Sequence, residues 1–159
     1  MGTDIYERWE IRQEGRWQEV ELVPPFDWET ATDEEEAVLF AHPAFLDRDY
    51  RLFAVLADVR NTFGVRPIAP PRGLPQDASA TNRLHFAELH SYEFYGLSFV
   101  TLSELLAYDW QQIITDSRRI WLPPESLWTA AEPFTTITLP YLRTLVENTD
   151  DLRMIFTFD

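Results

Sequence analysis

The sequence predicts an α+β domain in which a small, mostly antiparallel sheet packs against several helices. Three observations support this fold class. A hairpin pattern stands at the N-terminus, helical periodicity fills the middle of the chain, and an apolar strand pattern closes it over 153–158. The 159 residues suit a single domain, 1–159, and 45% of them are hydrophobic, so the chain can bury a core.

The N-terminal hairpin is indicated by alternation. Ile5, Trp9 and Ile11 lie at odd positions with polar residues between them, which is the period of a strand. Gly15 can adopt the positive φ that a tight turn requires. A second strand follows over 17–23, and the C-terminal strand is expected to pair with this hairpin, because a strand needs a partner.

Two carboxylates lie on the opposite face of the first strand. Asp4 and Glu10 share a parity that places them away from Ile5 and Ile11. Charged residues on a strand face are most often solvated, so we expect both side chains to be in water.

The helices follow from capping signals and apolar spacing. Thr32 and Glu35 form a capping box that predicts a short helix over 33–40. Apolar residues at three- and four-residue spacing predict a core helix over 49–61. The same signals predict further helices over 77–89, from Thr101 with an apolar face that extends to Ile113, and from Pro140 onward. The aromatic segment 90–100 is predicted to be irregular.

A long loop rich in proline and arginine separates two of these helices. It spans 63–80, and its four prolines make it stiff rather than flexible. Arg60, Arg66 and Arg72 lie in or beside it, so they can form a local positive pocket. The alternative is that these arginines pair with surrounding Asp and Glu residues.

The charge of the chain excludes some classes of partner. It has 27 acidic and 13 basic residues, a net charge of −14. Such a charge repels nucleic acid and anionic membranes, so we expect no direct nucleic-acid partner and no membrane partner. All the basic residues are Arg, whose planar guanidinium suits bidentate contacts with carboxylate or phosphate.

The location and the chemistry are bounded by absences in the sequence. There is no Cys, no apolar run long enough for a membrane span and no signal-peptide pattern. We therefore expect a cytoplasmic protein without disulfides. No phosphate-binding, dinucleotide-binding or hydrolase motif is present. We therefore expect no catalytic set, no metal site and no cofactor, and a binding protein rather than an enzyme.

Several motifs resemble a family of uncharacterised proteins encoded by phages and bacteria. The resemblance covers most of the chain and is most specific in its middle third. It rests on the helix 50–61, the segment Pro71-Arg-Gly-Leu-Pro-Gln-Asp-Ala-Ser79, the pair His90-Ser91, the helix start 101–106 and the terminal Phe156-Thr-Phe-Asp159. The family's N-terminal His position is Tyr6 here, and 92–97 resembles an insertion. The resemblance implies a location in the host cell cytoplasm if a phage encodes the chain.

Our first hypothesis is a phage-type small protein that binds an anionic, nucleotide-like ligand and sequesters it as an anti-defence protein. Arg72 would hold phosphate, the Gly73 N–H could donate to it, and aromatic side chains would cover a base. The predicted ligand-binding residues are Arg60, Asn61, Arg72, Gly73, Asp77, Ser79, His90, Ser91 and Tyr92.

Two other functions stay open, as does a homo-oligomer. An acidic inhibitor could bind a host protein at a nucleic-acid site, with the run Asp33–Glu36 as its contact. A phosphodiester or nucleotide hydrolase would need a base such as His90. The residues also have a purely structural interpretation, in which Arg60 and Asn61 cap a helix and Arg72 pairs with Asp77.

Overall fold

A computed structural model describes residues 2–159. Within this range the chain forms a four-stranded antiparallel sheet in the order β2-β1-β6-β3, a separate two-stranded ribbon, β4-β5, and several short helices. The predicted α+β class is confirmed. The strands are β1 (Ile5–Gln13), β2 (Arg16–Val20), β3 (Tyr95–Thr101), β4 (Ile113–Ile114), β5 (Glu125–Ser126) and β6 (Leu152–Phe158).

The N-terminal hairpin forms as predicted. Glu14 and Gly15 connect β1 to β2 with φ of 52° and 74°, which are the positive values that a tight two-residue hairpin turn favours. The second strand ends at Val20 rather than at residue 23. The C-terminal strand β6 pairs with β1 along Ile5–Ile11, as expected.

The first helix matches its predicted range to within one residue, whereas the next three, α2 to α4, are shorter than predicted. They are α1 (Asp33–Ala41), α2 (Tyr50–Ala57), α3 (Ala80–Leu89), α4 (Leu102–Ala107), α5 (Leu127–Ala130) and α6 (Leu139–Arg143). The capping boxes of α1 and α4 are present. Helix α2 ends at Ala57, because Asp58 adopts a left-handed conformation with φ of 60°. Helix α4 stops before Tyr108, which is extended, so Ile113 belongs to β4.

Two further segments differ from the sequence prediction. Strand β3 lies in the segment 90–100, which the sequence predicts to be irregular. A bulge between Tyr95 and Ser98 interrupts the alternation of this strand, so the sequence pattern does not indicate it. Pro140 lies in the first turn of α6, but α6 continues a π-helical turn, Phe134–Thr138, and does not begin from a loop.

The central strand β6 is buried on both faces along its whole length. One face packs into the main core with α2, where Phe53 meets Phe158 at a ring distance of 5.1 Å. The other face carries Arg153 and is covered by the loop 63–80 and by α3. Within residues 2–159, no helix is both long and apolar enough to cross a membrane.

Candidate functional site

The loop 63–80, which is rich in proline and arginine and which we call the arginine loop, packs on β3. Both terminal nitrogens of Arg72 donate to Glu104, at 2.8 and 2.5 Å. Arg72 also donates to the carbonyl oxygen of Phe99. The Gly73 N–H donates to the carbonyl oxygen of Leu97 at 2.8 Å. The guanidinium that the sequence assigned to phosphate therefore already has protein acceptors.

A buried polar network fastens the next part of this loop to the sheet. Arg153 lies 2.7 Å from Glu10 and 2.9 Å from Asp77. The second oxygen of Glu10 accepts from the backbone N–H of Ser79 and from the Asn82 side chain. Burial alone would raise the pKa of Asp77, but the contact with Arg153 outweighs it and lowers that pKa.

This network corrects two expectations from the sequence. Glu10 is fully buried rather than solvated, because α3 covers its face of β1. Asp77 pairs with Arg153 and not with Arg72, which Glu104 binds.

Arg60 and Asn61 hold the chain together after α2. Arg60 donates to the Thr3 hydroxyl at 2.9 Å and lies 5.5 Å from the ring centre of Tyr50. The Asn61 amide donates to the Val65 carbonyl oxygen at 2.8 Å. Both side chains thus make internal contacts that stabilise this turn.

The three remaining predicted residues lie at the end of α3. His90 is the C-cap residue, the Ser91 hydroxyl donates to a carbonyl oxygen of the same helix, and Tyr92 is 66% exposed. In the described part of the chain, no hydrogen bond, ion pair or ring contact joins these residues to Arg72 or Asp77. The structure therefore does not gather the predicted residues into one pocket.

A different concave region lies along the free edge of β1. Strand β2 pairs with β1 only over Trp9–Gln13, so Ile5–Arg8 pairs with β6 on one side and with no described strand on the other. A cavity of about 600 Å³ runs beside this edge. Its lining includes Tyr6, Glu7, Arg8, Trp28, Arg48 and His85.

This cavity adjoins two others around the segment that precedes α2. A cavity of about 730 Å³ shares Phe40, Phe45 and Arg48 with it. A smaller one of about 260 Å³ shares Glu7 and Trp28. The three cavities adjoin one another through these shared residues, and we call the region beside α1 that they make up the α1 cleft. The two larger cavities, of about 730 and 600 Å³, are each in the volume range of small-molecule sites.

Four aromatic rings line one wall of the α1 cleft. Trp28 contacts Phe26 at 4.5 Å and Phe40 at 6.0 Å between ring centres, and Phe40 contacts Phe45 at 5.2 Å. Trp28 is 62% exposed and Phe40 is 52% exposed. These rings offer open faces on which a flat ligand can stack.

At one end of the cleft, three ionisable side chains are partly buried. Burial raises the pKa of Glu7 to about 7, and within residues 2–159 no other side chain donates a hydrogen bond to its carboxyl group. Arg8 lies 3.3 Å from Nδ1 of His85. Burial and the Arg8 charge lower the pKa of His85, which favours its neutral form.

In the middle of the cleft, Arg48 makes two hydrogen bonds of 2.8 Å to the carboxylate of Asp4. The Arg48 contact lowers the pKa of Asp4 despite partial burial. Asp4 is thus held in its charged form, and the pair is neutral as a unit.

Three arginines line the far end of the cleft. Arg51 lies 5.3 Å from the ring centre of Phe63 and makes a 3.3 Å, partly exposed ion pair with Glu125, while its Nε is buried without a hydrogen-bond partner in the described part of the chain. Arg118 lies 3.8 Å from Asp116 and is half exposed. Among residues 2–159, Arg119 has neither an ion pair nor a side-chain hydrogen bond. This end can therefore accept an anion without first breaking a strong internal pair.

Comparisons of the chain with protein-family models, with curated proteins and with solved structures found no match. The functional interpretation therefore depends on the geometry of the cleft. Within residues 2–159, no group of three His, Asp or Glu side chains is placed to hold a metal ion.

Two features of the sequence point to residues of the α1 cleft. Glu7 has the same strand parity as Ile5 and Trp9, so the alternation of β1 places its carboxylate on the apolar face of the strand. A carboxylate among apolar residues is informative, because it needs a partner or a raised pKa. Arg118 and Arg119 directly precede the apolar run 120–122, which lies outside every predicted helix and strand.

Proposed function

We propose that the protein binds a small anionic, nucleotide-like ligand in the α1 cleft. One observation carries the proposal: exposed aromatic rings and weakly paired arginines line the same groove. Stacking on aromatic rings and charge-assisted hydrogen bonds from guanidinium groups are the two interactions that a nucleotide needs. The chain as a whole repels anions because its net charge is −14, so an anionic ligand needs a local group of arginines such as this one.

The parts of the ligand can be assigned to parts of the cleft. The base stacks on Trp28 and Phe40, which are open to solvent. The phosphate lies toward Arg51, Arg118 and Arg119, because Arg119 has no side-chain acceptor among the described residues and Arg118 is half exposed. A ligand held from both sides would be largely removed from water, which suits sequestration of a signal molecule.

Isothermal titration calorimetry against a panel of nucleotides, dinucleotides and cyclic oligonucleotides tests the proposal. At least one should bind the wild-type protein. Trp28→Ala should then weaken binding by about 1–3 kcal/mol, roughly five- to 150-fold, because a base loses its stacking surface. Arg119→Ala should weaken it by about tenfold without destabilising the fold, since the Arg119 side chain makes no hydrogen bond or ion pair among the described residues and the variant keeps its backbone hydrogen bonds.

Matched variants distinguish this site from the residues predicted by sequence. Tyr92→Ala removes an equally exposed aromatic ring, and Arg143→Ala removes an exposed arginine outside the cleft. Both should leave affinity unchanged. Loss of binding in Tyr92→Ala or Arg72→Ala, with Trp28→Ala unaffected, would place the ligand at the arginine loop. Absence of binding across the panel would contradict the proposed function itself.

Hydrolysis of the bound ligand is a second candidate, and Glu7 favours it. A carboxyl group with a pKa of about 7 can both take up and release a proton near neutral pH. Glu7 lies at the end of the cleft away from Arg51, Arg118 and Arg119, so the bond within its reach is on the base side of the ligand and not at the phosphate. Recovery of the ligand after incubation with the protein decides between the two functions. Intact ligand supports a binding protein. Cleaved ligand, with cleavage lost in Glu7→Gln, supports a hydrolase.

A further inference from the structure

Helix α1 exposes apolar side chains that nothing in the described chain covers. Of its nine residues, Leu39 alone is buried, while Val38 is 60% and Phe40 is 52% exposed. The neighbouring Trp28 is 62% exposed. A helix this short is marginal in water without tertiary contacts. We call Trp28, Val38 and Phe40 the α1 patch.

A second apolar surface projects from the β4-β5 ribbon. Its connecting loop, 115–124, carries Ile120 and Trp121, which are 84% and 75% exposed. Ile113 in β4 is 70% exposed. Two prolines follow in the loop and limit its backbone freedom. Side chains this large and this open are typical of a contact surface, and Trp is the residue most often central to one.

The two surfaces are complementary in charge. The α1 patch adjoins the acidic first turn of the helix, Asp33–Glu36. The ribbon loop carries Arg118 and Arg119 directly before its apolar residues. Phe40 and both arginines line the same cavity, so the α1 patch lies beside the arginines that directly precede Ile120 and Trp121. A two-fold axis that lies in the plane of the face carrying the α1 patch and these arginines, perpendicular to the line joining the two surfaces, would bring each surface onto the other one of a second copy.

We propose that this face is the interface of a symmetric homodimer. The ribbon loop of one copy packs on the α1 patch of its partner, and the same contact is repeated across the axis. A stable interface buries about 800 Å² on each side. A fully covered aromatic side chain supplies about 150–250 Å², so two tryptophans, Phe40 and the aliphatic residues can provide most of it. Trp28, Phe40, Arg118 and Arg119 also line the α1 cleft, so dimerisation and ligand binding compete for these side chains.

Sedimentation equilibrium over micromolar to submillimolar concentrations tests the dimer. The wild-type protein should reach twice the 18.7 kDa mass of one chain. Trp121→Ala should raise the dimer dissociation constant at least about tenfold, because it removes the central side chain. Leu84→Ala removes another open side chain, 73% exposed on α3, and should leave the mass unchanged.

Charge reversal provides the decisive arm. Arg118→Glu/Arg119→Glu and Asp33→Arg/Glu34→Arg should each be monomeric, with circular dichroism confirming that both are folded. Mixed together, they should form a heterodimer, since both of its contacts then join opposite charges. A wild-type protein that stays monomeric throughout overturns the proposal. So does a dimer that survives both reversals and Trp121→Ala.

Discussion

Arg153 and Glu10 form an ion pair inside the protein, with 2.7 Å between guanidinium and carboxylate and side-chain exposures of 5% and 0%. The Arg153 guanidinium also lies 3.9 Å from the ring centre of Trp17. The pair connects β6 to β1, and through Asp77 and Ser79 it connects the sheet to the loop. It explains why two of the predicted ligand-binding residues have structural partners.

Breaking this pair on one side should destabilise the protein strongly. Arg153→Met or Glu10→Leu alone should lower the free energy of unfolding by about 3–5 kcal/mol, because the remaining charge stays buried without its partner. The double variant should be more stable than either single one. Urea denaturation of all four proteins measures this coupling. Losses that simply add would show that the two charges do not depend on each other.

Glu7 should make the protein less stable as the pH rises through the neutral range. Burial raises its pKa from 4.5 to about 7, so between these values the folded protein keeps a proton that the unfolded chain has released. Stability therefore falls as the pH rises from about 4.5 to about 7. Glu7→Gln should remove this loss, which is a few kcal/mol at most.

The measurement is the free energy of unfolding at pH 5 and pH 8 for wild type and Glu7→Gln. The variant should gain stability relative to wild type at pH 8 and little at pH 5. Glu147→Gln, at an exposed position, is the matched control and should follow the wild-type profile. Parallel profiles for wild type and Glu7→Gln would show that Glu7 is solvated in the folded protein.

Structural features that depend on residues close together in the sequence could be predicted. Those that depend on contacts between distant residues could not. Thr32 and Glu35 are three residues apart, so their capping box is visible in the sequence and is present in the structure. The β3 strand was missed because its bulge breaks the alternation on which strand prediction depends. Local pattern therefore identified most elements but placed several of their ends too far along the chain.

The candidate site shows the same limit more sharply. A charged residue is easy to find in a sequence, but its partner is not, and the partner decides its role. Arg72 looks free beside a stiff loop, yet Glu104 binds it from α4. His85 and Arg8 are 77 positions apart and lie in contact. Single residues of the α1 cleft, such as Glu7, stand out in the sequence, but their grouping into one site could not be predicted, because its walls come from separate parts of the chain.

His85 should titrate below its ordinary value. Burial and the adjacent Arg8 charge lower its pKa from 6.5, so the folded protein resists protonating this ring. Stability should then fall as the pH drops below 6.5, where the unfolded chain gains a proton first. Two-dimensional NMR of the imidazole signals measures the pKa directly. Arg8→Ala should move the midpoint of His85 upward and leave His90 unchanged. An unchanged midpoint for His85 would show that the Arg8 charge does not act on it.

The Arg72–Glu104 pair should govern acid stability and leave ligand affinity unchanged. The Arg72 contact lowers the pKa of Glu104 from 4.5, so its contribution is present above that value and is lost as the pH falls below it. Arg72→Ala should therefore reduce stability at pH 7 and flatten the loss of stability in acid. Calorimetric scans from pH 7 to pH 3 measure this, with Arg143→Ala as the exposed arginine control. If Arg72→Ala instead keeps full stability and loses nucleotide affinity, the guanidinium serves a ligand, and the site lies at the arginine loop.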